Sequence, residues 1–330
     1  MDALRLALAD HQITLQGAAT SPDPAFYYAV YTQTSHSCCI RVYPESASGW
    51  EEYSTLSRFQ HPNILQPLDA FEYSDGLVLV TEPFQQTLLQ DICNRGKERY
   101  YWKEEELWQV IHGLIQAFAY MEGESLSHRD VNPANIVLNS QKIPKISGFY
   151  ASKWVLFPIE HTLIGTPYYL SPILRLAWAN STPNVLHNAY KSDVYSLGMT
   201  LLVATSLEFP EIMLSSQREA GLNGAIQALI CSNRLKYLLS CMLAEDEAKR
   251  PTFRDISGWL NSSDAPERLS AGENAPQEDF KASEIVNSEV APGNESDLLV
   301  NFRARAQPSS ASLAADPIAK SCVCSRCSLL

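Results

Sequence analysis

The octapeptide His128-Arg129-Asp130-Val131-Asn132-Pro133-Ala134-Asn135 constrains the fold more than any other stretch of this chain. Eight residues at fixed spacing can arise by chance, so the weight lies in the elements that surround them. LWQVIHGLIQAFAYM, just before, has the apolar content of a buried helix, and SDVYSLGMTLLVATSL, well after, has it again. The second of these opens with a Ser/Asp pair suited to a helix N-terminus. RLKYLLSCMLAEDE and TFRDISGWL read as two more helices. The first 80 residues differ. FYYAVYT and SCCIRVY carry the β-branched and aromatic residues of strands, and LVLVTEPF reads as a strand stopped by Pro83. One helix interrupts them, with Trp50, Tyr53, Leu56 and Phe59 spaced three apart. A small β-rich part followed by a large helical part predicts an α+β, bilobal fold.

Composition bounds the rest. With 330 residues, 45% apolar, the chain has material for one large or two small domains. A net charge of −12 argues against a nucleic-acid partner. No apolar run approaches the ~18 residues that span a bilayer. The start, MDALRLALADHQ, lacks the basic and long apolar regions of a secretory signal. Cys38, Cys39, Cys93, Cys231 and Cys241 are scattered, as reduced thiols of a cytoplasmic chain would be. Near residue 261 the aromatics stop, and only Phe280 and Phe302 follow. The expected organisation is an N-lobe with hinge over 1–84, a C-lobe over 85–261, and a disordered tail over 262–330.

The octapeptide has the H-R-D-x-x-x-x-N spacing of the protein-kinase catalytic loop. Five further landmarks follow the order of that family. HPNIL (61–65) resembles the turn after helix αC, and LVTEPF (79–84) the fifth strand and hinge, with Thr81 in the gatekeeper place. GTPYYLSP (165–172) resembles the end of an activation segment. KSDVYSLG (191–198) resembles the start of αF, and KRPTF (249–253) the arginine motif near the C-terminal helices. The resemblance to the protein-kinase superfamily covers roughly residues 10–261. It implies that Asp130 would accept a hydroxyl proton and Asn135 reach a phosphate-bound metal. It assigns Arg41, Glu52, Thr81, Glu82 and Phe84 to the nucleotide side, and His128, Arg129, Phe149, Asp193 and Arg250 to the framework.

The departures fall where nucleotide and metal would be handled. No lysine precedes Lys97, and Arg41 stands where the family has its strand-three lysine. An Arg41–Glu52 pair is expected to hold αC inward. No acidic residue lies between Asp130 and Glu160. Gly148-Phe149-Tyr150 occupies the D-F-G place, so Gly148 offers no metal ligand. The glycine-rich loop is missing, since the first sixty residues contain only Gly17 and Gly49. Asn132 replaces the serine/threonine-kinase lysine. Ile173 replaces the glutamate of A-P-E, so Arg250 is expected to be exposed or to find another acid. Leu56, Phe149 and His128 match three places of the regulatory spine, and Pro67 falls in the fourth.

The tail has its own signals. From Asp264 to Asp297 nine acidic residues face Arg268 and Lys281, whereas from Arg303 onward four basic residues face only Asp316. Cys327-Ser-Leu-Leu matches C-a-a-X with a terminal Leu, which points to geranylgeranylation, and Cys322 and Cys324 would be palmitoylation sites. As a metal set, three cysteines without histidine are incomplete. The reading is a pseudokinase held at the cytosolic face of a membrane by its lipidated tail. It would act as a scaffold or allosteric regulator of another protein, an active kinase among the candidates. No cofactor is required by this reading, ATP binding is left open, and Mg²⁺ is not expected. Trp154, Leu156, Phe157 and Ile159 would form either a docking surface or part of the core. The alternatives are a weak or unconventional serine/threonine kinase using Asp130, and a metal-independent nucleotide switch.

Overall fold

The computed structural model describes residues 2–18, 26–74, 76–155, 160–208 and 218–261. The fold is α+β and has two lobes. The N-lobe is a five-stranded antiparallel sheet of β1 (Ile13–Ala18), β2 (Phe26–Tyr31), β3 (Ser37–Tyr43), β4 (Pro67–Tyr73) and β5 (Gly76–Thr81), in the order β1-β2-β3-β5-β4. Both faces of β5 are covered, and the two-residue period of a strand divides them. Leu77 and Leu79 enter the main core under α2 (Ser46–Leu56), while Val78 and Val80 pack with Leu8 of α1 (Asp2–Asp10). On β3 the same alternation sends Ile40 toward α1 and leaves Cys39, Arg41 and Tyr43 facing the interlobe cleft.

The strands stand close to where the sequence predicts them. Two local readings change. Helix α1 was not expected; Leu4, Ala7 and Leu8 give it an apolar stripe that docks on Ile13, Phe71 and Val78. Helix α2 starts four residues before Trp50, and its buried face is Gly49, Glu52, Thr55 and Leu56, while Trp50 is exposed. Of the row spaced three apart, Leu56 and Phe59 are buried and Tyr53 packs on the main core, while Trp50 drifts outward because a repeat of three rotates around a 3.6-residue helix. Gly49 belongs to the buried face because a Cβ there would stand 2.7 Å from Leu77.

The C-lobe is built from α3 (Leu88–Glu98), α4 (Glu104–Gly123), α5 (Pro172–Ala179), α6 (Ala189–Ser206), α7 (Arg218–Ala228), α8 (Asn233–Met242) and α9 (Phe253–Asn261). Helix α6 is its axis, buried from Ser192 through Ala204. It begins at Ala189 with Asn188 as its cap, accepting from the Lys191 N–H, so the Ser192/Asp193 pair lies inside the helix and is free for another use. Phe118 of α4 stacks on Phe253 of α9 with centroids 4.7 Å apart. Short strands β6 (Gln86–Thr87), β8 (Ile136–Leu138) and β9 (Pro144–Ile146) form a sheet beneath the cleft. Strand β7 (Leu126–Ser127) pairs with β10 (Lys153–Trp154), and β11 (Glu160–Thr162) with β12 (Asn184–Leu186).

Arg250 is not exposed, and among the described residues it has no acid paired with it. It is buried, and its guanidinium donates to the carbonyls of Ala244, Glu245 and Lys191 at 2.9 to 3.3 Å. The Tyr195 ring lies 5.1 Å beneath it. Several carbonyl dipoles and an aromatic face replace the carboxylate that Ile173 removes. Pro67 opens β4 opposite Thr81, and the register shifts between Pro67 and Asp69 because proline has no N–H for the ladder. No described helix is long and apolar enough to cross a membrane. Residues 262–330, with Cys322, Cys324 and Cys327, lie outside the described residues, as do Leu156, Phe157 and Ile159. Trp154 is exposed, and Val155 is buried.

Candidate functional site

The floor of the cleft is the loop 127–135, and one buried carboxylate sets its shape. Asp193 accepts from the Ser127 hydroxyl at 2.7 Å and from the backbone N–H groups of His128 and Arg129 at 2.8 Å each. Burial pushes its carboxyl upward in pKa, and the three donors work against that. With its N–H so held, Arg129 adopts φ +68°, a left-handed turn that projects the next residue into the cleft. Below the loop, His128 bonds the Ser147 carbonyl at 2.9 Å and packs edge-on against Phe149 at 5.1 Å. Leu56 of α2 and Phe149 belong to the same main core, and α2 packs against the turn that carries Phe149.

Asp130, projected by that turn, is buried, and both its oxygens are occupied from within. Oδ1 accepts from the Thr166 N–H at 2.8 Å and the Thr166 hydroxyl at 2.7 Å. Oδ2 accepts from Asn135 Nδ2 at 2.9 Å and from the Tyr150 hydroxyl. A carboxylate has about four acceptor sites, and these four donors fill them. Asn132 closes the ring by donating to the Asp130 carbonyl and to the Thr166 hydroxyl, each at 3.1 Å. The Tyr150 phenol is raised above its ordinary pKa by burial and by the adjacent Asp130 charge, so it is held protonated as a donor.

Gly148 occupies the place of the missing metal ligand, and that place has been filled. Its φ is +78°, and an added Cβ would stand 2.3 Å from Asn135 Oδ1 and 2.5 Å from Asn135 Cγ. The Asn135 amide therefore lies where a side chain at 148 would begin, and it turns Nδ2 toward the Asp130 carbonyl and carboxylate. A divalent cation on phosphates needs free carboxylate oxygens. Here the carboxylate expected at 148 is absent, and the amide of Asn135, the other group expected to reach a metal, lies against Gly148 and is bonded to Asp130. The residues present do not fit Mg²⁺.

The N-lobe wall is rebuilt around Arg41. Its Nη1 lies 3.6 Å from Glu52 Oε2, and α2 is drawn in against the turn 149–151. Glu52 is buried and also accepts from the Tyr43 hydroxyl. The Arg41 guanidinium faces three rings, Phe26 at 5.1 Å, Tyr43 at 5.2 Å and Tyr150 at 5.8 Å. A planar, weakly hydrated cation suits such stacking better than an ammonium does. Further back, Phe26, Cys39, Leu65, Phe84 and Val137 form one buried cluster joining the lobes, with Phe26 edge-on to Phe84 at 5.2 Å. The hinge groups are engaged as well. The Phe84 carbonyl accepts from Cys39 Sγ at 3.7 Å, the Glu82 carbonyl from the Thr81 hydroxyl at 3.2 Å, and the Gln85 carbonyl from the Tyr28 hydroxyl. The Glu82 side chain pairs with Lys145 at 2.9 Å. Of the residues assigned to nucleotide, Arg41 and Glu52 come together, Thr81 and Phe84 are buried in the chain's own contacts, and Glu82 serves an ion pair with β9.

The family model described as the protein kinase domain matches residues 39–259. This chain belongs to the protein kinase family. Among its relatives are a putative serine/threonine-protein kinase A of Trypanosoma brucei brucei, 29% identical over 219 residues, and a probable serine/threonine-protein kinase nek2 of Dictyostelium discoideum, 26% identical over 220. These alignments take in 62% and 63% of this chain and 48% and 50% of the relatives. The serine/threonine-protein kinase PAK mbt of Drosophila melanogaster is 29% identical over 220 residues, 63% of this chain and 32% of its own. The chain thus spans about half or less of the length of these relatives. Within this kinase fold, Tyr150, Phe26 and Tyr43 are the residues that sequence reasoning missed. One signal was present. An aromatic immediately after Phe149 replaces the glycine of D-F-G, and a side chain at that place must point somewhere.

Proposed function

We propose that this protein is a pseudokinase, a kinase fold that acts by binding another protein and does not transfer phosphate. The observation that carries the proposal is the saturation of Asp130 by Thr166, Asn135 and Tyr150. A catalytic aspartate must accept a proton from the attacking hydroxyl, and this one has no acceptor site left for it. Gly148, the Asn135 amide in its space, and the buried Phe26–Phe84 cluster support the same reading from the metal and hinge sides. The partner is a protein, with an active kinase the first candidate to screen. The Cys-Ser-Leu-Leu motif, with Cys322 and Cys324 beside it, extends the proposal to a lipid-held protein. Fractionation of cells carrying Cys327→Ser against wild type tests that part, and full retention in the membrane fraction sinks it.

The decisive assay for the main proposal uses the purified full chain with ATP and Mg²⁺ or Mn²⁺, on itself and on generic protein substrates. Incorporation is expected to equal that of Asp130→Asn. Robust transfer by the wild type that vanishes in Asp130→Asn overturns the proposal. Nucleotide thermal shift, run with and without metal, is expected to be flat; a metal-independent rise would make the chain a nucleotide switch instead.

A further inference from the structure

We infer that Tyr150 is a built-in clamp that holds the two lobes closed without any ligand. The inference rests on the pseudokinase reading and adds to it the conformation that a partner would meet. Three observations converge on this one side chain. Its hydroxyl donates to Asp130, which belongs to the C-lobe floor. Its ring lies 5.8 Å from the guanidinium of Arg41, which belongs to strand β3 of the N-lobe. Its backbone lies in the turn 149–151, against which α2 packs. One residue therefore bonds the floor and faces the opposite wall, and it does so from a turn against which α2 packs.

The local chain is shaped to deliver it. Gly148 takes φ +78°, which turns the chain immediately before Phe149, and the turn 149–151 then sends Phe149 into the core and Tyr150 into the cleft. The Tyr150 side chain remains partly exposed, so it lines the cleft rather than filling the core. Its two polar contacts are of the stronger kinds. A hydrogen bond to a carboxylate exceeds a neutral one, and a cation over an aromatic face gains when both are partly desolvated. In Arg41, Glu52 and Tyr43 the N-lobe has its own internal network, and Tyr150 carries that network across to Asp130.

Hydrogen exchange on the full chain tests the clamp, comparing wild type with Tyr150→Phe and Tyr150→Ala. The amides that report closure are those of α2, β3 and Thr166, and α6 serves as the interior control. In Tyr150→Ala, exchange at the closure reporters is expected to rise about tenfold or more, the change that follows from losing a hydrogen bond to a charged group. Tyr150→Phe keeps the ring and is expected to show a smaller rise at the same amides. Protection in α6 is expected to be unchanged. Wild-type protection of α2 and β3 in both variants overturns the clamp. If Tyr150→Ala loses protection throughout, α6 included, Tyr150→Phe alone decides by the same criterion. Failure here is distinct from failure of the pseudokinase reading, which is judged on phosphate transfer by the unmutated chain.

Discussion

Two aspartates from opposite sides of the same loop show how differently its two halves have been treated. Asp193 receives the Ser127 hydroxyl and two backbone N–H groups, donors that shape the loop and block nothing. Asp130 receives side chains from three other places, Asn135, Tyr150 and Thr166, and these occupy the space in front of it. The framework half of the cleft keeps the geometry that folding needs. The nucleotide-facing half has been refilled by residues that bond to one another. The chemistry of the family depends on free oxygens and on electrostatic stabilisation, and the donors around Asp130 are what support the proposed loss of transfer.

The largest effect that would break this comparison lies in the framework half. Asp193→Ala leaves three buried donors without an acceptor and is expected to cost on the order of 4 kcal/mol in urea unfolding, each orphaned group counting ~1–3. A loss under about 1 kcal/mol would remove Asp193 from the framework. Next comes the rebuilt wall. Glu52→Ala removes the carboxylate beside the Arg41 guanidinium and the acceptor of the Tyr43 hydroxyl, and about 2–3 kcal/mol is expected, the low side for one partner of a buried pair because Arg41 is partly exposed and has other contacts. Glu52→Gln, which can still accept from Tyr43, is expected to recover part of that loss.

Gly148→Asp sharpens the contrast, because it restores the family residue to a place that no longer has room. A Cβ 2.3 Å from Asn135 Oδ1, on backbone at φ +78°, predicts a loss of about 1–3 kcal/mol and no Mg²⁺-dependent stabilisation by ATP. A gain in stability on adding Mg²⁺ and ATP would show that the refilled site reopens easily.

The smallest effect concerns pH and the segment facing the loop. His161 is buried, its ring 5.4 Å from that of His187, and neither of its nitrogens has a hydrogen-bond partner among the described residues. Burial, with His187, Arg129 and Lys153 nearby, lowers its pKa from 6.5 to about 4. The folded state therefore keeps His161 neutral where the unfolded chain binds a proton. Stability contributed by this residue is complete above about 6.5 and falls as the pH drops toward about 4. Urea midpoints between pH 7 and pH 5 are expected to decline less in His161→Phe than in wild type; equal slopes would show that His161 is not held neutral.

Much of this was legible along the chain. The ordered landmarks from HPNIL to KRPTF specify the kinase fold, because each is a local solution to a turn, a loop or a helix start and carries its own residues. The absences were equally plain: no lysine before Lys97 and no carboxylate between Asp130 and Glu160 can be read without coordinates. Where sequence reasoning failed, distant residues had solved a local problem. Arg250 was expected to be exposed or to find another acid, and instead it is buried against carbonyls from Ala244, Glu245 and Lys191, whose direction depends on how α6 and α8 pack. The helix read from Trp50, Tyr53, Leu56 and Phe59 is present, but Trp50 faces out while Leu56 and Phe59 are buried, because a spacing of three rotates on a helix.

The sequence by itself determined the family, the two-lobed order of elements and the loss of the metal-binding carboxylate, since these depend on which residues occur and at what spacing. Only the tertiary structure decided what took the empty places. Tyr150 could have faced solvent, and Asn135 could have kept its amide free. Their positions follow from a left-handed turn at Gly148 and from the approach of Arg41 on β3 to the turn 149–151. Both bring together groups far apart in the chain, and no local pattern encodes that meeting.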